Sequence, residues 1–199
     1  MKGKIVSTIV YEDGIYEGEI IDGIENGTGK FVWDDGTVYE GDFVDGLMSG
    51  SGKIIWSNGN TYEGEYVKGK MCGKGKFTDK DGTIYMGEFF DNKMQGFGKL
   101  IWPDGSWYEG EFYNDIKQGK GKFVWDNGDV YEGDFYNDVE HGIGIFAFSD
   151  GATYQGEFVN GDRSGKGVFT YVDGRVYKGI FERGKFVDGV VLDENGNEI

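Results

Sequence analysis

One histidine, His141, and one cysteine, Cys72, are the whole supply of imidazole and thiol in this 199-residue chain. Nucleophilic catalysis needs a nucleophile, a base and a group that orients the base. Neither residue has such company. Both stand in one repeated position, filled elsewhere by Ser49, Gln95, Gln118 and Ser164 beside a glycine, and both read as polar loop residues. Carboxylates are abundant, 36 against 20 lysines and arginines, but they recur at regular places. General acid–base pairs require one singular site with separated pKa values, which a uniform stripe does not offer. Asp79, Asp81, Gly82 and Glu88 match the third, fifth, sixth and twelfth positions of a calcium-binding EF-hand loop. Phe77 occupies the first position, where an acid is required, and the flanks read as strands, so the segment reads as a turn. The Gly-x-Gly pairs lack the third glycine and the helix of a dinucleotide fingerprint and read as sharp bends. The sequence therefore predicts no catalytic residue, no metal and no cofactor.

What remains is aromatic chemistry, from 5 Trp, 13 Tyr and 15 Phe. These residues are strictly periodic. Tyr16, Tyr39, Tyr62, Tyr85, Tyr108, Tyr131, Tyr154 and Tyr177 follow one another at intervals of 23, each with a glycine two places on. The Gly-x-Gly pair recurs with the same period, from Gly27–Gly29 to Gly165–Gly167, and so does a turn glycine, from Gly36 to Gly174. In one unit, "GKFVW" and "TVYEGDF" are aromatic and β-branched, as strands prefer. Asp34-Asp35-Gly36 between them, with Pro103-Asp104-Gly105 as its counterpart, describes a type I turn closed by a left-handed glycine. Each unit is predicted to be a β-hairpin.

That turn sets a register: Val32 opposite Val38, Phe31 opposite Tyr39, Lys30 opposite Glu40. One face then carries Phe31, Trp33, Tyr39 and Phe43 with Gly29 and Gly41 between them; the other carries Lys30, Val32, Val38, Glu40 and Asp42. The Lys–Glu pair recurs as Lys53–Glu63, Lys99–Glu109 and Lys122–Glu132. Where the acid becomes Gln155 or Lys178, the residue opposite becomes Ile145 or Val168, which removes an unpaired charge. Lys76, opposite Met86, departs from the rule.

A single hairpin of this length cannot bury its rings, so neighbours must pack side by side. Eight hairpins give about sixteen strands and, at ~4.8 Å each, a sheet roughly 75 Å long. The fold class predicted is all-β: an elongated, twisted, single-layer antiparallel sheet forming an open trough. No linker interrupts the count, so residues 1–199 read as one array, with repeats near 9–28, 29–51, 52–74, 75–97, 98–120, 121–143, 144–166 and 167–189 and a C-terminal tail at 190–199.

The repeated "YEGEF" and "GxGKFxWxDGxxYEGDF" at this period resemble MORN repeats (membrane occupation and recognition nexus) over residues 9–189. The last unit departs: "YKGIF" lacks the acid after Gly179, which reads as a cap or a specialised end. The resemblance implies a scaffold or adaptor rather than an enzyme. Relatives in that family include junctophilins at membrane junctions, radial spoke head proteins and cytoskeletal collars. In bare arrays the aromatic groove holds a partner's peptide or helix, and some arrays pair end to end.

The groove expected here comprises Trp33, Tyr39, Phe43, Trp56, Tyr62, Tyr66, Tyr85, Phe89, Trp102, Tyr108, Phe112, Trp125, Tyr131 and Phe135. Its expected acidic rim is Glu40, Asp42, Glu63, Glu65, Glu88, Glu109, Glu111, Glu132 and Asp134. Leu47, Met48, Met71, Met94, Ile116 and Val139 are placed at the hairpin junctions, with the methionines plugging bends ahead of a ligand-adapting role. The formal charge of −16 repels nucleic acid and disfavours anionic membranes, while it attracts a basic protein segment. The expected partner is a basic amphipathic segment of another protein. Lipid binding at a membrane junction and end-to-end association as a structural rod are the alternatives. With a lone cysteine, no signal-peptide core and no apolar stretch of ~20 residues, the expected location is cytoplasmic, at the cytoskeleton or a cilium by family analogy.

Overall fold

The computed structural model of the chain describes residues 5–199, and the regular elements among them are all β-strands. Contacts group these residues into two compact units, 1–103 and 104–199. The first holds β1 (Ile5–Val10), β2 (Gly14–Ile21), β3 (Ile24–Trp33), β4 (Val38–Val44), β5 (Leu47–Ile55), β6 (Thr61–Val67), β7 (Lys70–Thr78), β8 (Ile84–Phe90) and β9 (Lys93–Ile101). The second holds β10 (Trp107–Tyr113), β11 (Ile116–Val124), β12 (Val130–Tyr136), β13 (Val139–Ala147), β14 (Thr153–Val159), β15 (Asp162–Thr170), β16 (Val176–Glu182) and β17 (Lys185–Leu192). In each unit every strand pairs antiparallel with the next in sequence. Each unit is thus an open, single-layer sheet of successive hairpins.

The register is the one the turn chemistry dictates. Val32 faces Val38, Phe31 faces Tyr39 and Lys30 faces Glu40; Lys76 faces Met86 and Ile145 faces Gln155. In the first turn of this kind the Trp33 carbonyl accepts the Gly36 N–H at 2.9 Å, and the Trp33 N–H is donated to the Thr37 carbonyl at 2.9 Å. Gly36 has φ +89°, so a type I turn closes on a left-handed bulge residue.

The opposite hairpin ends differ from the loops expected at the junctions. They are two-residue turns with both residues at positive φ, such as Asp45 (49°) and Gly46 (80°), or Asn137 (49°) and Asp138 (70°). That is the type I′ turn, whose twist matches the strands it joins. Leu47, Met48, Met71, Met94, Ile116 and Val139 therefore stand in strands, as do Cys72 and His141. Turns of this kind also dock on the preceding hairpin: the Gly69 N–H reaches the Met48 carbonyl at 2.8 Å and the Gly161 N–H the Glu140 carbonyl at 2.9 Å.

The core depends on a pair of facing glycines. Gly41 lies opposite Gly52. A Cβ added to Gly52 would fall 2.2 Å from the Tyr39 hydroxyl, and one added to Gly41 would fall 2.5 Å from the Gly52 Cα. The bare backbone is a slot in which the tyrosine ring of the same repeat lies flat. The ring's hydroxyl then donates to the Asp42 carbonyl at 3.0 Å, and the same bond recurs from Tyr62, Tyr85, Tyr108, Tyr131 and Tyr154. Tyr16 to Tyr154 are fully buried at this position.

Two further rings stand against Tyr39, Tyr62, Tyr108, Tyr131 and Tyr154. Tyr39 meets Phe43 at 5.2 Å and Tyr66 at 5.2 Å, both near perpendicular; Tyr62 meets Tyr66 and Phe89; Tyr131 meets Phe135 and Phe158. Edge-to-face pairs contribute about 0.5–1.5 kcal/mol each beyond area burial. The ladder is the covering of one hairpin's rings by the next that the sequence demands.

Two outcomes follow. Gly52→Ala should destabilise by about 3 kcal/mol or more, because its Cβ overlaps ring and backbone. Gly36→Ala, with open space around it, should cost only the left-handed penalty of about 1–2 kcal/mol. Urea unfolding of the two variants checks the order, and equal losses would refute the slot. The Tyr66 hydroxyl is buried and lacks a hydrogen-bond partner, where the other repeats carry phenylalanine or Ile20. Tyr66→Phe should therefore raise stability by about 1 kcal/mol, read as a higher thermal midpoint.

Candidate partner-binding surface

Strand alternation gives each sheet a ring face and a polar face. On the ring face, ten of the fourteen residues expected to line a groove are buried: Tyr39, Phe43, Tyr62, Tyr66, Tyr85, Phe89, Tyr108, Phe112, Tyr131 and Phe135. They form the tyrosine ladder and are packed rather than presented. Burial pushes the Tyr39 and Tyr62 phenols up to about 12. The four tryptophans are different. Trp33, Trp56, Trp102 and Trp125, next to the type I turns, are each partly exposed.

The tryptophans belong to a second, shallower row of rings. Phe31 contacts Tyr11 at 5.6 Å and Trp33 at 4.4 Å, and Trp56 contacts Phe77 at 5.9 Å. In the second unit the row runs Phe123, Trp125, Phe146, Phe148, Phe169, Tyr171 at spacings of 4.5, 5.2, 4.5, 5.6 and 4.5 Å. A depression of about 500 Å³ opens on it, lined by Phe148, Asp150, Ala152, Arg163, Phe169 and Tyr171 among others.

The acids expected at a groove rim lie elsewhere. The alternation that turns Tyr39 and Phe43 to the ring face turns Glu40 and Asp42 to the other. Glu40 pairs with Lys30 at 2.8 Å, Glu63 with Lys53 at 3.5 Å and Glu132 with Lys122 at 3.9 Å, while Glu109 faces Lys122 in register. The second acid of each repeat has a backbone partner. Between the pairs Gly41–Gly52 and Phe43–Met48, three residues of β5 oppose Asp42 alone. The Asp42 carboxylate accepts the Ser51 N–H of that bulge at 2.9 Å. Glu65, Glu111 and Asp134 do the same for Lys74, Lys120 and Ile143. Glu88 lies against Gly96, where a Cβ would fall 2.5 Å from its Oε2.

The acids that do flank the tryptophans are in the type I turns. Asp35 accepts the Thr37 N–H at 2.8 Å and the Ser57 hydroxyl at 3.1 Å, tying one turn to the next. Asp79, considered above for calcium, accepts the N–H groups of Asp81 and Thr83 at 2.9 Å. Among the described residues no group of three or more His, Cys, Asp or Glu could hold a metal ion. Among the described residues no helix is long and apolar enough to cross a membrane. His141 is half-buried in β13, its ring 5.7 Å from Tyr136.

A sequence model described as MORN repeat matches residues 16–38, 39–61, 62–84, 85–107, 108–130, 131–153 and 154–174. No curated protein sequence matches the chain. Among solved structures, the chain is similar to the SAS-4 (dCPAP) TCP domain of Drosophila melanogaster, solved with a proline-rich motif of Ana2 (dSTIL). Identity is 14%, over 88% of this chain and 90% of that one, with a TM-score of 0.49. It is similar to the TCP10 domain of Danio rerio CPAP at 12% identity, over 97% of each chain, with a TM-score of 0.33. It is also similar to virginiamycin B lyase of Staphylococcus aureus at 13% identity, over 100% of this chain and 69% of that one, with a TM-score of 0.18.

The turn acids make stability depend on pH. The Thr37 N–H draws Asp35 below the ordinary carboxylate range; the Thr83 N–H does so for Asp79, and the Ser106 hydroxyl and N–H for Asp104. A depressed carboxyl contributes stability above the unfolded value near 4, and that contribution is lost as pH falls through the folded value. The urea midpoint should fall between about pH 4 and pH 2. The triple variant D35N/D79N/D104N should show a shallower fall; an unchanged slope would remove these three acids as the cause.

Proposed function

The chain belongs to the MORN-repeat family, and from that premise we propose that it is a non-enzymatic scaffold that holds a segment of another protein against its tryptophan row. The observation that carries this reading is the contrast within one face. The tyrosine ladder is sealed, while tryptophans in the adjacent row keep part of their surface in water, in a sheet one layer thick. Partly exposed indoles beside other rings are the residue type most enriched among binding hot spots.

The segment that fits is amphipathic. Its apolar side meets the indoles and phenylalanines, and its basic residues meet the turn acids beside them, Asp34, Asp35, Asp104 and Asp126. The net charge of −16 favours such a partner at long range and opposes nucleic acid and anionic lipid. Cytoskeletal and ciliary assemblies, where family members occur, are the setting this reading favours.

Affinity capture with the wild type beside a variant with Trp33, Trp56, Trp102 and Trp125 replaced by alanine should identify a partner lost from the variant. Against that partner Trp56→Ala alone should weaken binding at least tenfold, while raising salt from 0.05 to 0.5 M should weaken it only a few-fold. Binding indifferent to all four tryptophans, with the fold intact by circular dichroism, would end the proposal. Flotation with phosphatidylserine vesicles at the same salt would point to lipid instead.

A further inference from the structure

In a type I turn the N–H of the second residue is not used by the turn itself and needs an outside acceptor. Four repeats take that acceptor from the turn before. The Asp34 N–H reaches the Asp13 carbonyl at 2.9 Å. The Ser57 N–H reaches the Thr37 hydroxyl at 3.2 Å, the Lys80 N–H the Asn60 side-chain carbonyl at 3.0 Å and the Ser149 N–H the Asp129 carboxylate at 2.7 Å. Pro103 has no N–H to satisfy. The Asp126 N–H lacks the tie, but Ser106 keeps a hydroxyl in that column, donated to Asp104 at 2.6 Å. At Val172 the residue of the column is Ala152. A methyl group accepts nothing, and among the described residues the Val172 N–H has no acceptor.

The shortened side chain stands where the sheet is hollow. Ala152 and Val172 both line the depression of about 500 Å³, a size usual for ligand sites. Phe148, Phe169 and Tyr171 make it largely apolar, and Arg163 adds a charged donor. The Arg163 guanidinium lies 4.9 Å from the Phe169 ring centre and 5.8 Å from that of Phe148. One of its N–H groups is donated to the Gly184 carbonyl at 2.8 Å. Among the described residues no carboxylate forms an ion pair with it, and residues 1–4 contain none. An arginine stays charged at any accessible pH, so its donors depend on no titration.

The charges nearby decide which acceptor fits. Asp150 and Asp173 line the same depression, where they accept the N–H groups of Ala152 at 2.9 Å and Arg175 at 3.1 Å. Beside these carboxylates, on a chain of net charge −16, an anion is repelled and a neutral carbonyl is not. The rings meanwhile offer an apolar side chain a surface to cover.

We infer that this depression holds an apolar side chain of an extended partner segment, whose flanking backbone carbonyls accept from the Val172 N–H and the Arg163 guanidinium. One carbonyl stands in for the side-chain oxygen that Thr37, Asn60 and Asp129 supply in other repeats. The inference rests on the scaffold reading and gives it an anchor in the second unit that uses no tryptophan.

The test titrates acetyl-Gly-Leu-Gly-amide into the full chain, followed by nuclear magnetic resonance. The Val172 amide and Tyr171 ring signals should shift saturably. Acetyl-Gly-Gly-Gly-amide, which lacks the side chain, and acetyl-leucine, which ends in a carboxylate, should each bind about tenfold more weakly. Ala152→Asn supplies the acceptor as Asn60 does, and Arg163→Met installs the residue of three earlier repeats. Each should weaken the leucine peptide about tenfold. Without ligand, the Val172 amide should exchange its hydrogen faster than that of Ser149 and should slow in Ala152→Asn. Undiminished binding to either variant overturns the inference, as does the lack of a saturable shift in the wild type. Tighter binding of acetyl-leucine overturns it too, by making the depression an anion site. The four-tryptophan variant should bind the peptide as the wild type does, since no tryptophan lines the depression. A captured partner lost from that variant but held fully by Ala152→Asn keeps the tryptophan row and removes this anchor; peptide binding as expected with no partner lost from the four-tryptophan variant does the reverse.

Discussion

A tyrosine ring can lie flat on a β-sheet only where the strands beneath it carry no side chains. In this chain the requirement is met by glycines that face each other across adjacent strands, Gly41 against Gly52 and Gly64 against Gly75. The rest of the repeat is organised around that contact. Because the ring lies down, its hydroxyl reaches the carbonyl three residues on, and it meets one ring of its own strand and one of the next hairpin. Stability is therefore distributed along the array as nearest-neighbour terms rather than gathered in one centre, as expected of repeat architectures. A sheet one layer thick can hold buried aromatics in this way because the glycines lower the floor by one side chain.

The second fixed point is the bulge. The Gly-x-Gly pair provides two extra residues on one strand, and the acid opposite, Asp42 or Glu65, receives an N–H that the ladder cannot pair. The last hairpin tests this coupling within the same molecule. There the acid is replaced by Ile180, which cannot accept an N–H. Gly179 faces Gly189, Ile180 faces Asp188 and Phe181 faces Phe186, so the bulge shrinks to a single extra residue, Val187. The acid, the first glycine of the Gly-x-Gly pair and one residue of the bulge are absent together, so the acid accompanies the longer bulge in this molecule. Much of the chain's negative charge is accordingly a by-product of its backbone and lies away from the aromatic row.

Several of these features were legible in the sequence. Tyrosines 23 residues apart and the Asp-Asp-Gly turn sufficed for the hairpin, its register and the lysine–glutamate pairing. The second turn was misread as a loop, although Asp22-Gly23, Asp45-Gly46 and Asn160-Gly161 are strong type I′ signals. The repeats with Lys68 and Arg183 at the first turn position obscure that signal, because neither residue favours the left-handed region in which it sits. The sorting of the aromatics into a sealed ladder and an open row was also hidden. It depends on which rings lie over glycines and which stand beside the turns, and a face assignment alone does not distinguish Tyr39 from Trp33. The bulge acids could not be recognised either, because a bulge has no periodic signature of its own beyond the glycines.

A repeat array diversifies where substitution is cheapest for the fold. The tyrosine and glycine columns cannot vary, since each defines the other's space. The tryptophan column is freer, reading Tyr11, Trp33, Trp56, Asp79, Trp102, Trp125, Phe148 and Tyr171. The column from Glu25 to Phe186 is freest of all, because it packs over rings whose faces accept a thioether, another ring or a cation with little rearrangement. Charge at that column is therefore under weak structural constraint and sets the chemistry of the ring face unit by unit. Methionines leave the first unit apolar beyond Glu25, whereas Lys117 and Arg163 cover rings in the second with the chain's own positive charge. Burial pulls the Lys117 ammonium below the ordinary lysine value, against the attraction of Asp138 and Glu140. The two units thus share one architecture but carry different chemistry on their ring faces.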